Sequence, residues 1–381
     1  MIENNYHDTV SLLKQHTNVI ELTGADGGQV AVTPTWQGRI MVSAGGDGQG
    51  PAFGWVNADF IAAESDDPHF NNYGGADRFW LGPEAGQFGL WFAKGEPFDV
   101  DHAKTPHGFG RGPFESTDRA DASLTMSKNF RVANYSGAMF DCAVKRTVNA
   151  LARRQVAENL RSPVSDELDL VAFESVNTLT NAGRQSWSRQ TGLLSIWILG
   201  QFDASPGATV IVPFKSESDE ALGPKAKLDY FGQIPPDRAR IGKEHLFFRC
   251  DGVFRSKIGI SPLRASDIFG SYDPDHQALT IVQFSLPEGS AQLPYVNSLW
   301  QIQDDPFAGD AVNSYNDTGR LTPAGQAATF YELETSSPAA ELKPGQAITH
   351  THRTCHFIGP DDALNVLAEK NFGTNLKNLL T

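Results

Sequence analysis

The sequence has few cysteines, few methionines and no long apolar run. Three cysteines in 381 residues cannot form a disulfide framework, and their wide spacing is not that of a zinc knuckle. The longest apolar run, residues 193–199, has the length of a strand, so we expect no membrane partner. The first five residues lack the basic start and apolar core of a secretory signal. We therefore expect a cytoplasmic protein, or a periplasmic one if a leader has been removed.

Basic residues are also scarce, with 31 Lys and Arg against 45 Asp and Glu and a net charge of −14. Such a surface repels phosphate backbones, which argues against a nucleic acid partner. The glycines of residues 45–50 fit neither the Walker spacing nor the dinucleotide fingerprint, and no Gly-x-Ser-x-Gly elbow is present. A nucleotide cofactor and a serine hydrolase of the α/β kind are therefore not expected.

What the sequence does have is glycine, proline and phenylalanine, which together favour short strands joined by turns. Alternating apolar patterns predict thirteen strands, and no βαβ unit is visible. We predict an all-β fold of antiparallel sheets packed as a sandwich. The predicted strands are 30–33, 39–43, 89–92, 130–133, 140–148, 170–179, 195–199, 209–213, 253–260, 278–284, 298–303, 329–335 and 347–357.

Helical patterns are few and lie near the two ends of the chain. Residues 9–15 and 361–370 carry apolar side chains at helical spacing, whereas 166–168 is too short to assign. No linker and no repeat is visible, so we predict one domain over residues 1–381 with short terminal helices. The polar stretch 215–245 is the expected insertion.

The segment near the C-terminus carries the most chemistry. It predicts a strand, a proline-bounded loop and a second strand. Glu332 and Glu334 share one face of the first strand, and His350, His352 and His356 share one face of the second. Two carboxylates and three imidazoles on such strands indicate a functional site. His356, beside an apolar residue on either side, can also be a buried histidine of the core.

This segment resembles the C-terminal motif of the galactose mutarotase (aldose 1-epimerase) family, and among its members the large, poorly characterised bacterial relatives. The resemblance implies a mutarotase-like β-supersandwich that binds a carbohydrate. It covers about 28 residues and rests on Leu333-Glu334-Thr335, Pro338, Leu342-Lys343-Pro344-Gly345 and Phe357.

In that family the glutamate of the motif is the general base that acts on the anomeric hydroxyl, a role that falls here on Glu334. The family's acid histidine has no counterpart in residues 175–181. The family's early His-Gly-Gly motif is matched only loosely, at His107. We therefore expect His350 or His352 to supply the acid. Loss of that acid would instead leave a carbohydrate-binding protein without catalysis.

A second cluster combines a cation, an aromatic ring and a carboxylate beside tight turns. Arg78, Trp80 and Glu84 follow a glycine pair, and such residues bind sugars by stacking and by hydrogen bonds to hydroxyls. The resemblance places a hydroxyl-binding arginine near this point, which makes Arg78 the candidate. Arg78 and Glu84 can equally form a structural ion pair.

Three further polar residues are candidates for substrate binding. Lys257 lies opposite apolar residues in an alternating strand, and Asn313 and Asn316 lie in a polar, turn-like stretch. Each has a simpler interpretation, as a solvated lysine or as turn-forming residues.

A metal site is the remaining alternative. His350 and His352, two apart on a strand, can share a divalent metal with Glu332 or Glu334. That arrangement would indicate a metal-dependent isomerase or lyase of sugar acids. The leading hypothesis, acid–base epimerisation of a sugar, requires no cofactor. The sequence does not indicate an oligomeric state.

Overall fold

The computed structural model describes residues 5–48, 50–319 and 329–379, and antiparallel strands are its main elements. In chain order the strands are β1 (Ile20–Thr23), β2 (Gln29–Thr33), β3 (Arg39–Ala44), β4 (Arg78–Gly82), β5 (Glu115–Ala120), β6 (Ser123–Ala133), β7 (Met139–Ala150), β8 (Asp169–Asn181), β9 (Ser195–Asp203), β10 (Thr209–Pro213), β11 (Ala239–Ile241), β12 (His245–Arg249), β13 (Ser256–Ile260), β14 (Ile268–Asp273), β15 (Ala278–Phe284), β16 (Val312–Asn316), β17 (Phe330–Ser336) and β18 (Ala347–Ile358).

The helices are short and lie outside the sheets. They are α1 (Tyr6–His16), α2 (Ala58–Ala62), α3 (His107–Gly110), α4 (Arg153–Leu160), α5 (Asp219–Leu222) and α6 (Asp361–Phe372), with 3₁₀ turns at Gly46–Gly48, Ser290–Gln292 and Leu376–Leu379. None of the helices in the described part of the chain has the length and apolarity needed to cross a membrane.

The strands form three sheets, in which every strand pairs antiparallel to its neighbours. A ten-stranded sheet has the order β11-β12-β10-β14-β15-β18-β8-β7-β6-β5, a five-stranded sheet has the order β13-β16-β17-β9-β4, and a three-stranded sheet has the order β1-β2-β3. Backbone hydrogen bonds between Ile40 and Asp77 join β3 to the residue that precedes β4.

The main hydrophobic core lies between the large sheet and the five-stranded sheet. One continuous cluster of buried apolar side chains includes residues of all three sheets. A second cluster lies between the outer face of the large sheet and the C-terminal helix, where Leu364, Leu367 and Phe372 of α6 pack with Cys355 and Phe357 of β18. The odd-numbered residues of this part of β18 therefore face α6.

The even-numbered residues of β18 face the main core. His350, His352 and His356 are fully buried there, as is Thr354. Opposite them, β17 alternates in the same way: its odd-numbered residues face the core and its even-numbered residues face away from it. This alternation decides which predicted residues can share a site.

The prediction of an all-β antiparallel sandwich is confirmed. Eleven of the thirteen predicted strands overlap observed ones, and both predicted helices are found as α1 and α6, whereas α4 was not predicted. Residues 89–92 are not a strand, because a tight turn closed by Gly89 N–H to the Gly86 carbonyl precedes buried aromatic side chains. Residues 298–303 are irregular, because the Asn297 side chain accepts the Leu299 N–H and competes with sheet pairing. The single domain over residues 1–381 stays a prediction.

Candidate functional site

The outer face of the five-stranded sheet carries a dense group of charged and aromatic side chains. The register pairs Glu334 of β17 with Leu199 of β9 and with Asn313 of β16, and it pairs Leu199 in turn with Arg78 of β4. Residues two positions away on these strands, such as Trp80 and Glu332, share the same face. Sheet pairing therefore collects at one place residues that are more than 200 positions apart in the chain.

Glu334 lies at the centre of this face and is fully buried. Its Oε2 accepts hydrogen bonds from Trp197 Nε1 and Lys257 Nζ, both at 2.9 Å. Its Oε1 is buried and accepts no hydrogen bond from an N–H or hydroxyl donor of the described residues, while the Glu332 carboxyl, when protonated, lies close enough to hydrogen-bond Glu334. The carboxylate is thus fixed through one oxygen and has the other available to accept a proton or a hydrogen bond.

Glu332 is the second carboxyl group on the same face of β17. It forms an ion pair with Arg78, whose guanidinium also lies 4.7 Å from the ring centroid of Trp80. Burial raises the pKa of Glu332 to about 7; Arg78 opposes the rise, and the neighbouring Glu334 carboxylate adds to it. The two glutamates are therefore a coupled pair that can share one proton near neutral pH.

Lys257 and Glu84 complete the charge distribution. Burial alone would lower the pKa of Lys257, but the carboxylates of Glu334 and Glu84 raise it above its ordinary value, so Lys257 is charged. Burial raises the pKa of Glu84, and Lys257 opposes this rise. Glu84 Oε2 accepts a hydrogen bond from Trp300 Nε1 at 3.1 Å. The predicted ion pair between Arg78 and Glu84 is not observed, because Arg78 pairs with Glu332.

Tryptophan side chains surround these charges. The ring of Trp80 lies 4.5 Å from that of Trp91 and 5.4 Å from that of Trp197, both in edge-to-face geometry. Lys257 Nζ lies 4.9 Å from the centroid of Trp197. Flat aromatic faces next to charged hydrogen-bonding groups suit a ligand that is apolar on its ring faces and polar around its rim.

A small cavity lies beside Trp197 and Lys257, the two residues that bind Glu334, and Tyr230 of the predicted insertion lines it. Its volume is about 20 Å³, enough for about one water molecule. Tyr230 donates a hydrogen bond to Asp310, and Asn313 Nδ2 lies 3.3 Å from the Tyr230 hydroxyl.

Unsatisfied polar groups are concentrated at this face. Eight buried side-chain atoms without a partner, counted over the described residues, lie on it or next to it, although buried polar atoms are normally hydrogen-bonded. They are Arg78 Nε and Nη1, Trp80 Nε1, Trp91 Nε1, Ser195 Oγ, Gln201 Oε1, Asp310 Oδ1 and Glu334 Oε1.

The histidines of β18 do not face Glu334. Thr335 lies on the opposite face of β17, and its Oγ1 is 2.8 Å from Nε2 of His350 and 2.8 Å from Nδ1 of His352. Burial lowers the pKa of His350 to about 3 and that of His352 to about 4. The sheet itself separates both imidazoles from the Glu334 carboxyl, contrary to the expectation that they share one cleft. Alternation places them on one face of β18 but does not indicate what that face meets.

The predicted metal ligands are not brought together either. Glu332 lies on the outer face of β17, whereas His350 and His352 lie in the core behind it. In the part of the chain that the structure describes, no group of three or more His, Cys, Asp or Glu side chains is arranged to hold a metal ion.

Two other predicted residues lie apart from the group around Glu334. His107 is exposed at the start of α3. Asn316 is buried on the other face of β16 from Asn313; its Oδ1 accepts the Gly252 N–H and its Nδ2 donates to the Phe254 carbonyl. Asn316 thus lies in strand β16 and not in a turn of its own, contrary to the turn-like interpretation, and its side chain stabilises the segment before β13.

Several residues of the site were not predicted from the sequence. Trp197, Tyr230, Trp300 and Asp310 lie in different segments, and only long-range sheet pairing and loop packing join them. Trp197 and Trp300 lie in predicted strands beside apolar residues, which is a local signal for burial but not for a site. For all four, only the three-dimensional structure identifies the neighbours.

The fold is a β-sandwich of the galactose mutarotase-like type. A putative aldose 1-epimerase from Escherichia coli K12 is 13% identical, with a TM-score of 0.52 over 89% of this chain and 98% of that one. A galactose mutarotase-like protein from Lactobacillus casei ATCC 334 is 11% identical, with a TM-score of 0.52 over 89% of this chain and 100% of the other. At such identities the likeness concerns the fold alone.

At the level of sequence, the chain belongs to a family described only as a family of unknown function (DUF6786), which it matches over residues 4–381. A third solved structure of similar fold, from Synechocystis sp. PCC 6803, is 13% identical, with a TM-score of 0.52 over 89% of this chain and 96% of that one. No curated protein matches the chain.

Proposed function

We propose that this protein is a sugar epimerase of the aldose 1-epimerase kind, which interconverts anomers by acid–base chemistry at Glu334 and Glu332. The observation that carries the proposal is the coupled carboxyl pair on one face of β17, with the unpartnered Oε1 of Glu334 among tryptophan rings. The names of the proteins that share the fold support the choice of a sugar as substrate.

In the proposed reaction Glu334 Oε1 takes the proton of the anomeric hydroxyl, and Glu332 donates a proton to the ring oxygen as the C1–O5 bond breaks. The open-chain aldehyde rotates about C1–C2 and closes on its other face. On closure the ring oxygen returns its proton to Glu332, and Glu334 returns its proton to the anomeric oxygen. The reaction therefore leaves both carboxyl groups as they began.

The neighbouring residues support this division of roles. Trp197 and Lys257 both donate hydrogen bonds to Glu334, whereas Glu332 has a pKa near 7 and can hold a proton near neutral pH. Arg78 has two unpartnered donors that can bind sugar hydroxyls. In this proposal Glu332 takes the role that the sequence had led us to expect of a histidine in β18.

The test is anomer exchange, followed by NMR on freshly dissolved aldohexoses and aldopentoses with purified protein. Glu334→Gln should abolish the enzymatic exchange, and Glu332→Gln should reduce it at least a hundredfold, because each removes one proton-transfer group. Glu341→Gln is the matched control, since Glu341 is half-exposed and pairs only loosely with Arg189. Wild-type exchange rates in Glu334→Gln would refute the mechanism.

A carbohydrate-binding protein without turnover is the second candidate. It is favoured by the position of His350 and His352, which the sheet separates from Glu334. Sugar binding by calorimetry, with no acceleration of anomer exchange for any sugar that binds, would support this candidate over the enzyme.

A further inference from the structure

Arg255 lies at the edge of the site and is not part of the mechanism above. It precedes β13 by one residue and lies two positions before Lys257, so both point to the same side of the sheet, roughly 7 Å apart along the strand. Burial raises the pKa of Glu84, and the charge of Arg255 is among the influences that lower it. Because Lys257 pairs with Glu334, the Arg255 side chain lies on the same face of the five-stranded sheet as Glu334.

The Arg255 guanidinium is held in place by aromatic side chains rather than by an acidic partner. Its Cζ lies 3.9 Å from the ring centroid of Phe231 and 5.9 Å from that of Tyr315. Its Nε donates a hydrogen bond to the Tyr315 hydroxyl at 3.1 Å, and that hydroxyl donates to Asp317 at 2.9 Å. Stacking and one hydrogen bond thus fix the plane of the guanidinium.

The two terminal nitrogens of Arg255 are available to a ligand. Within residues 5–48, 50–319 and 329–379 they form no hydrogen bond or ion pair, and the side chain is exposed. Phe231 beside it is 40% exposed, so one face of its ring is accessible. A solvated arginine normally moves freely, whereas this one is oriented next to an exposed ring on the face of the sheet that carries Glu334.

The surroundings of Arg255 favour one class of anion. A guanidinium offers two parallel N–H donors that match either a planar carboxylate or a phosphate. The exposed face of Phe231 can pack against a sugar ring. Asp317 accepts a hydrogen bond from the Tyr315 hydroxyl and therefore lies close by. Its negative charge repels a dianion such as a phosphate ester more strongly than a singly charged carboxylate.

We infer that Phe231, Arg255 and Tyr315 form a subsite for the carboxylate of a uronic acid, either as the reacting sugar or as its neighbour in an oligosaccharide. This inference rests on the proposed function for the position of the reacting sugar at Glu334. It adds the substrate class, an acidic rather than a neutral sugar.

The test is equilibrium binding, by calorimetry, of D-galacturonic and D-glucuronic acid against D-galactose and D-glucose. We expect the uronic acids to bind at least tenfold more tightly than their neutral counterparts. Arg255→Gln should remove that preference and leave neutral sugars within about twofold, and Arg255→Lys should restore it only in part. Arg154→Gln is the control, because Arg154 is 89% exposed and pairs with Glu158 on α4.

Three outcomes would overturn the subsite. The first is equal binding of acidic and neutral sugars, and the second is an unchanged preference in Arg255→Gln. The third is tighter binding of glucose 6-phosphate than of the uronic acids. Anomer exchange without a preference for uronic acids refutes the subsite and leaves the proposed enzyme. An Arg255-dependent preference in a protein that exchanges no anomers refutes the enzyme and leaves the subsite. If no sugar of either class binds, both are refuted.

Discussion

Lys257 reaches across a whole strand to place its Nζ 2.9 Å from Oε2 of Glu334. The two residues lie on β13 and β17, and β16 runs between them. Strands two apart in a sheet are about 10 Å from each other, so the lysine must extend over the face of β16. Its alkyl stem therefore covers the sheet while its charge neutralises the central carboxylate.

Removal of this cation should destabilise the protein. Lys257→Met leaves the fully buried Glu334 without its charged partner, which typically costs about 3–5 kcal/mol of unfolding free energy. The double variant Lys257→Met/Glu334→Gln should recover much of that loss, because no uncompensated charge remains. Urea unfolding of the three proteins measures both effects. Lys14→Met, which breaks an exposed pair with Glu21, is the control. Equal losses in the single and double variants would contradict the prediction.

The rate of anomer exchange should depend on pH through Glu332. Burial raises the pKa of Glu332 to about 7, and the proposed acid must carry its proton, so kcat/KM should fall tenfold per pH unit above about pH 7. The measurement is exchange between pH 6 and 9 with the uncatalysed rate subtracted. Tyr230→Phe should keep this decline, because burial raises the pKa of Tyr230 well above 10. A profile that is flat or rising across this range would count against Glu332 as the acid.

Asp77, the residue that precedes Arg78, anchors the sheet from the core side. Asp77 and Arg146 are both fully buried and pair at 2.6 Å, and Ser175 Oγ donates to the other Asp77 oxygen at 2.7 Å. Asp77→Asn should therefore lower the unfolding free energy by about 3–5 kcal/mol, because Arg146 keeps a buried charge. Denaturant unfolding tests this. The exposed pair of Asp141 and Arg131 is the comparison, and Asp141→Asn should have little effect. A loss no larger than that of Asp141→Asn would show that the buried pair is not stabilising.

The buried histidines should make the fold sensitive to acid. Burial lowers the pKa of His356 to about 3, while an unfolded histidine titrates near 6.5, so the unfolded chain binds more protons as the pH falls from 6.5 towards 3. Each such histidine then removes up to about 1.4 kcal/mol of stability per pH unit in that window. Glu332 acts in the opposite direction between about pH 7 and 4.5, because its folded-state pKa is raised.

The contribution of one histidine to the pH dependence of stability is best isolated by comparing a variant that lacks it with the wild type. His356→Leu removes one titrating group, so its unfolding free energy should fall less steeply than that of the wild type between pH 6.5 and 5. Urea titrations at three pH values measure the slopes, and any constant loss from the Thr280 hydrogen bond and the Phe53 stacking cancels. Identical slopes in the two proteins would contradict the prediction.

Local alternation was enough to predict the strands that carry the carboxyl pair and the histidines. It was not enough to predict their relation, because a period of two defines two faces of a strand without indicating what covers each. Glu334 and Thr335 are adjacent in the chain, yet one faces the tryptophans and the other faces His350 and His352.

The remainder of the site depends on contacts between distant segments. Tyr230 and Asp310 are 80 residues apart and meet only once β13 and β16 are paired. Arg78 and Glu332 are 254 residues apart, and β9 lies between their strands. Propensity and spacing report on a few neighbouring residues, so no local pattern could have joined these pairs.

The place of β18 in the large sheet constrains how the protein can be made. This strand is the last in the described part of the chain, yet it lies between β15 and β8 and pairs with both along most of its length. Until β18 is in place, the two halves of the sheet present unpaired edges to each other. Such long-range pairing is slow and leaves aggregation-prone strand edges exposed. Closure of the large sheet therefore waits for β18, and the pairing of both edges of this strand is the step that completes the sheet.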